Sequence, residues 1–148
     1  MSKSLLFDGL VTVVVPYTAA GTTTLTSSVL DMSGFDSVQF ICVTGNSTSG
    51  NVLTLTGKMN TANSTSSPTP TAITGGTASS TDPDGTTNDN ASVVLDIHKP
   101  TQRYVFCTVT RATQNVEIGC VVAIQYNSKK RPVTQPANVL ASTMVVSQ

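Results

Sequence analysis

A chain of 148 residues is long enough for one domain with a real core and too short for two ordinary ones. Only 11% of its residues are charged and the formal net charge is zero, so net charge draws it neither to free nucleic acid nor to an anionic membrane. No run approaches the ~18–20 apolar residues that a membrane-spanning helix requires, and the opening MSKSLLFDG lacks the apolar stretch of a secretion signal, which predicts synthesis in a reducing cytoplasm without export.

Taken in order, residues 1–9 read as an arm carrying Leu5, Leu6 and Phe7 before an Asp8-Gly9 turn. Residues 10–15 (LVTVVV) are β-branched and predict a strand that Pro16 ends, because proline has no N–H for a sheet ladder. A turn at 19–21 precedes a threonine-rich weak strand at 22–27. Residues 37–44 (SVQFICVT) place Val38, Phe40 and Cys42 on one face and Gln39, Ile41 and Val43 on the other; apolar groups on both sides predict a central strand. A further strand is expected at 52–59, with Leu53, Leu55 and Met59 alternating against Val52, Thr54, Thr56 and Lys58.

Residues 60–91 are almost entirely Ser, Thr, Asn, Gly, Pro and Asp, with Ile73 the one large apolar side chain. Such a stretch buries too little to offset its own ordering. It predicts a long polar loop, with 70–74 able to add an edge strand against a neighbour. Residues 92–98 (SVVLDIH) then turn Val93, Leu95 and Ile97 inward and Asp96 and His98 outward.

The segment 103–135 is the least ambiguous part of the chain. Two alternating runs, RYVFCTVT and VEIGCVVAIQY, flank a short turn and lead into the basic tail NSKKRPVTQ. Treated as an antiparallel hairpin with loop 112–115, they pair Arg111 with Val116, Val109 with Ile118, Cys107 with Cys120, and Val105 with Val122. Ile118, Cys120, Val122 and Ile124 then share one face. After a linker at 136–138, the apolar segment 139–148 reads as a closing strand or an arm across another chain. No helical period persists. The expected fold is all-β: a single-domain antiparallel β-sandwich or jelly roll over 10–135, with extended terminal arms at 1–9 and 136–148 and one long Ser/Thr-rich loop at 60–91.

No catalytic, cofactor or metal constellation rises above background. His98 and Asp96 share a strand face, but no motif ties a nucleophile to them. The run around Asp82, Asp84 and Asp89 lacks the spacing and the closing Glu of a calcium loop. Cys42, Cys107 and Cys120 lie in apolar strand patterns outside any CxxC pair, which predicts buried free thiols. Charge is uneven: 99–131 holds six basic residues against Glu117 alone.

Two segments are familiar. DMSGFDSVQFICVTG at 31–45 and, more strongly, LDIHKPTQRYVFCTVTRATQNVEIGCVVAIQYNSKKRPVTQ at 95–135 resemble small virion structural proteins of tailed bacteriophages. The resemblance implies a capsid decoration (cement) protein: a β-sandwich or jelly-roll homotrimer on the capsid exterior that bridges subunits of the major capsid protein and catalyses nothing. A carbohydrate-binding jelly-roll module on a virion surface, using Tyr17, Tyr104 or Tyr126, and a tail or neck component are the alternatives. On the cement reading, Lys129, Lys130 and Arg131 meet an acidic capsid surface, and Leu5, Leu6, Phe7, Val139, Leu140 and Met144 supply contacts from the two arms, with no nucleic acid or membrane as partner.

Overall fold

The alternating segments become strands in the computed structural model, which describes residues 4–145. One helical turn, α1 (Leu5–Asp8), precedes β1 (Leu10–Val15), β2 (Thr18–Gly21), β3 (Leu25–Thr26), β4 (Leu30–Asp31) and β5 (Phe35–Ser47). Then follow β6 (Val52–Asn60), β7 (Thr71–Thr81), β8 (Ser92–His98), β9 (Tyr104–Ala112) and β10 (Val116–Ser128). Two antiparallel sheets form, in the orders β1-β10-β5-β8 and β3-β9-β6-β7, with β2 added to β10 and β4 to β9. The partners β1–β10, β3–β9, β5–β8 and β6–β7 are nested, as in one long hairpin rolled over itself, and this is the expected jelly roll. The inner faces meet in one core, with Val38, Phe40 and Cys42 opposed by Leu53, Leu55, Val105, Cys107 and Val109. No helix among the described residues is long and apolar enough to cross a membrane.

β5 is central, between β10 and β8, as its two-sided apolar pattern predicts. Leu95 and Ile97 of β8 are buried, while Asp96 and His98 face out.

The hairpin expected at 103–135 is not one. β9 pairs with β6, β3 and β4, whereas β10 pairs with β5, β1 and β2 in the other sheet. The chain crosses between sheets at 113–115, so β9 and β10 face each other through the core. Two alternating strands joined by a short link bury their apolar sides equally well side by side or stacked ~10 Å apart. The choice belongs to the distant partners β5 and β6. The proposed Cys107–Cys120 pairing goes with it, and all three cysteines are free.

The inward phase of β10 also differs from the expected one. The register with β5 shifts between Ile118 and Cys120, a β-bulge. Val116 and Ile118 point into the core, and beyond the bulge Val121, Ala123 and Gln125 do so. Cys120, Val122 and Ile124 are thereby turned to the outer face, because one extra residue reverses every later side chain.

The two outer faces contrast. On the β3-β9-β6-β7 sheet, Thr26, Thr108, Thr56 and Thr77 occupy successive register positions, beside a row of Thr110, Thr54 and Ser79. On the other sheet, Val13, Val122, Ile41 and Val94 form a row across all four strands. Val13 and Val94 are 46% and 45% exposed in that row, so none of the described residues covers it.

Much of 60–91 is ordered. β7 is an edge strand on β6, longer than the five residues expected and bulged beside Gly75, whose φ of 72° suits glycine. The following loop is held by buried polar groups. Asp82 accepts hydrogen bonds from Ser47 Oγ, Asn51 Nδ2 (3.1 Å) and Gly85 N–H (2.8 Å), and Asn88 Nδ2 donates to Asn51 Oδ1 (2.9 Å). Charge-assisted bonds of this kind replace the apolar burial that the stretch lacks.

Candidate binding surface at one pole of the sandwich

Antiparallel order brings the start of β1, β5 and β9 and the end of β8 and β10 to the same pole. Residues 7–11 and 128–135 are drawn together there. Asp8 is the knot: its Oδ1 accepts from Ser128 N–H (2.9 Å), Ser128 Oγ (3.0 Å) and Arg131 Nε (2.6 Å). Burial alone would raise the Asp8 pKa, but the Arg131 and Ser128 hydrogen bonds outweigh it and hold the carboxyl below its ordinary value. Residues 133–135 then run beside 7–11. Val133 N–H donates to Phe7 C=O (3.2 Å), Gln135 Nε2 to Gly9 C=O (2.6 Å), and Val11 N–H to Gln135 Oε1 (3.0 Å). The first of the two expected arms is therefore a tethered turn, not a free extension. Residues 137–145 form no strand, and 1–3 and 146–148 lie outside the described residues.

Three shallow recesses follow one another around this pole. One of about 390 Å³ is lined by Met32, Phe35, Asp36, Lys99, Arg103 and Lys129, among others. A second, of about 300 Å³, shares Phe35 and adds Lys130, Pro132 and Val133. The third, of about 180 Å³, shares Pro132 and is lined by Leu6, Phe7, Ser142 and Met144. The pole is thus basic and polar on one side and apolar on the other.

The basic residues singled out from the sequence are mostly partnered. Arg131 is bound to Asp8, and Lys129 Nζ lies 3.8 Å from Asp36. Arg103 grips Asp31 with two bonds of 2.9 and 2.7 Å while its guanidinium lies 5.2 Å from the Tyr104 ring centre. That grip holds Asp31 well below the usual carboxylate range. Arg111 is buried: Nε donates to Thr23 C=O (2.9 Å), Nη2 to Thr23 Oγ1 (2.7 Å), and Nη1 to the Ala19 and Val116 carbonyls (2.8 and 3.0 Å). Of the six cations between 99 and 131, Lys99 and Lys130 are the exposed ones without a carboxylate in reach among the described residues.

The structure brings Leu6, Phe7 and Met144 together and leaves Leu5 exposed at the same pole. Val139 is half-buried in a turn closed by its N–H on Pro136 C=O (3.0 Å), and Leu140 projects outward at 96% exposure. Sequence reasoning missed Asp8, Phe35, Lys99 and Pro132 as parts of this surface. They are neighbours only because five strands end together. The apolar outer row was missed for another reason, the bulge, although Ile41 and Val43 on the second face of β5 were its visible trace.

His98 Nδ1 lies 2.6 Å from Ser37 Oγ, its cross-strand neighbour. Ser37 is fully buried, so its hydroxyl is closed to a substrate, and the contact serves as a cross-strand hydrogen bond. The three tyrosines are dispersed. Tyr17 donates to Glu117 (2.5 Å), Tyr126 to Asp96 (2.7 Å), and Tyr104 lies under Arg103. None of them lines the three recesses. Among the described residues no group of three or more His, Cys, Asp or Glu is placed to hold a metal. The chain matches no known family model and no curated protein sequence.

Proposed function

We propose that this protein is a non-enzymatic decoration protein of a phage capsid, seated on the shell exterior and bridging adjacent major capsid subunits as a self-associated, trimeric unit. The observation that carries it is the gathering of residues 4–9 and 128–135 at one pole. There the exposed Leu5 and the apolar recess formed by Leu6, Phe7 and Pro132 adjoin the recess that holds the unpaired cation Lys130. A clamp needs a stiff body, provided by two sheets sharing one core, and contacts at its end, provided by the tethered turn and the basic residues beside it. Many modest contacts repeated over a shell add up by multivalency, so a deep pocket is unnecessary. The jelly roll is compatible with capsid work, and that compatibility is analogy from fold.

The pole's ion pairs narrow the electrostatic part to Lys130 and Lys99, since Lys129 and Arg131 are already engaged within the chain. Co-sedimentation with assembled shells of the cognate phage tests this. Lys130→Glu and Leu5→Asp are each expected to weaken binding roughly tenfold, equivalent to about 1.4 kcal/mol. The wild type should also lose affinity as salt screens the Lys130 contact. A wild-type protein that stays in the supernatant at every salt concentration overturns the proposal.

A further inference from the structure

The described residues leave two apolar surfaces uncovered. The first is the transverse row Val13–Val122–Ile41–Val94 on the outer face of the β1-β10-β5-β8 sheet. The second is the segment 139–145, where Leu140 is 96% and Val145 80% exposed and Met144 sits half-exposed at the rim of an open recess. The turn at Pro136–Val139 and the position of Met144 beside Leu6 and Phe7 keep this segment off its own sheet.

From these observations we infer that segment 139–145 of one copy lies across the outer Val13–Val94 row of a second copy, each chain donating one segment and accepting another. Three properties match. Neither surface carries charge: the row is all aliphatic, and no Asp, Glu, Lys or Arg occurs from 132 onward. Burying one against the other therefore desolvates no ion, the cost that makes charged surfaces poor partners. The lengths also fit. Four strands span about 19 Å at ~4.8 Å spacing, and seven extended residues reach about 23 Å. Leu140 and Met144 fall on the same side of an extended segment, about 13 Å apart, and the ends of the row, Val13 and Val94, are three strand spacings or about 14 Å apart.

The sheet face by itself argues against simple stacking of two identical faces. Strands of 6, 13, 13 and 7 residues give a footprint on the order of 600 Å² at the usual rise and spacing. Two such faces reach only the lower edge of the ~1,200–2,000 Å² that specific interfaces bury. They would also leave the exposed segments with no cover. A donated segment covers both surfaces at once. Donor and acceptor differ, so a head-to-tail contact of this kind closes into a trimer when successive copies are related by a threefold rotation. The inference deepens the self-association in the proposed function and does not depend on the shell.

Sedimentation of the full-length chain tests it with two variants. Leu140→Asp/Met144→Asp spoils the donor, and Val13→Asp/Val94→Asp spoils the acceptor. All four positions are exposed, and matching far-ultraviolet circular dichroism with the wild type checks the fold. The expected result is a wild-type oligomer, two monomeric variants, and a two-chain species when the variants are mixed, since each then supplies the half that the other lacks. A monomeric wild type overturns the inference. So does either variant keeping the wild-type mass, or a mixture that stays monomeric. A donor variant that still forms a dimer would instead indicate face-to-face stacking. The two proposals fail separately: a monomer that binds shells sinks the exchange and the trimer but leaves shell binding standing, and a ring that binds none sinks the shell reading and leaves the exchange standing.

Discussion

Arg111 shows how a single residue couples distant parts of this fold. It lies at the end of β9, just before the chain crosses between sheets. Its guanidinium ties the 19–23 segment to the first residue of β10 through four hydrogen bonds to neutral acceptors. Burial lowers its pKa, yet the fork of donors suits several carbonyls at once, which lysine would not. Arg111→Met keeps the apolar stem and removes the donors. Leaving those acceptors unpaired should cost about 3 kcal/mol in denaturant unfolding, and a loss under ~0.5 kcal/mol would show that the bonds add nothing net.

At the scale of the element, the bulge in β10 decides which residues are core. Before it Ile118 faces in; after it Val121 does, and Val122 faces out. Two neighbouring substitutions separate this phase from simple alternation. Val121→Thr puts a hydroxyl in the core and should cost about 1–3 kcal/mol, whereas Val122→Thr should stay within ~0.5 kcal/mol in the monomeric donor variant, where the outer face is free. The reverse order would restore unbroken alternation. The same bulge turns Val122 and Ile124 outward, so the apolar outer row exists because β10 is irregular.

For the molecule as a whole, the acid side of the stability profile follows from its carboxylates. Asp31 is held low by Arg103, Asp84 by the Thr86 N–H, and Glu117 by the Tyr17 hydroxyl. Asp8 and Asp82 are raised by burial but lowered further by their hydrogen bonds. Each folded-state pKa is depressed, so the unfolded chain binds more protons once pH drops below the ordinary carboxylate values of about 4. The associated stability is complete above that value and is lost as pH falls through the folded ones. Denaturant unfolding from pH 7 downward should show this decline, and Asp8→Asn/Asp31→Asn should make it shallower. Superimposable profiles would assign the acid loss to other groups.

Local pattern alone determined much of this protein. The strands at 37–44, 52–59 and 92–98, their inward residues, the central place of β5, the absence of helical layers and the sandwich class all follow from period-two alternation, which any short window contains. The apolar ends and the basic run at 129–131 were also legible as residues of interest. Only the tertiary structure decided that β9 and β10 belong to opposite sheets, that Lys129 and Arg131 are already paired, and that residues 4–9 are tied down by Asp8. The reason is range. Alternation states which side of a strand is buried, whereas partner strand, bulge position and ion-pair geometry depend on residues as far as 123 positions away, as in Asp8–Arg131, and these become neighbours only once both sheets have closed around the core.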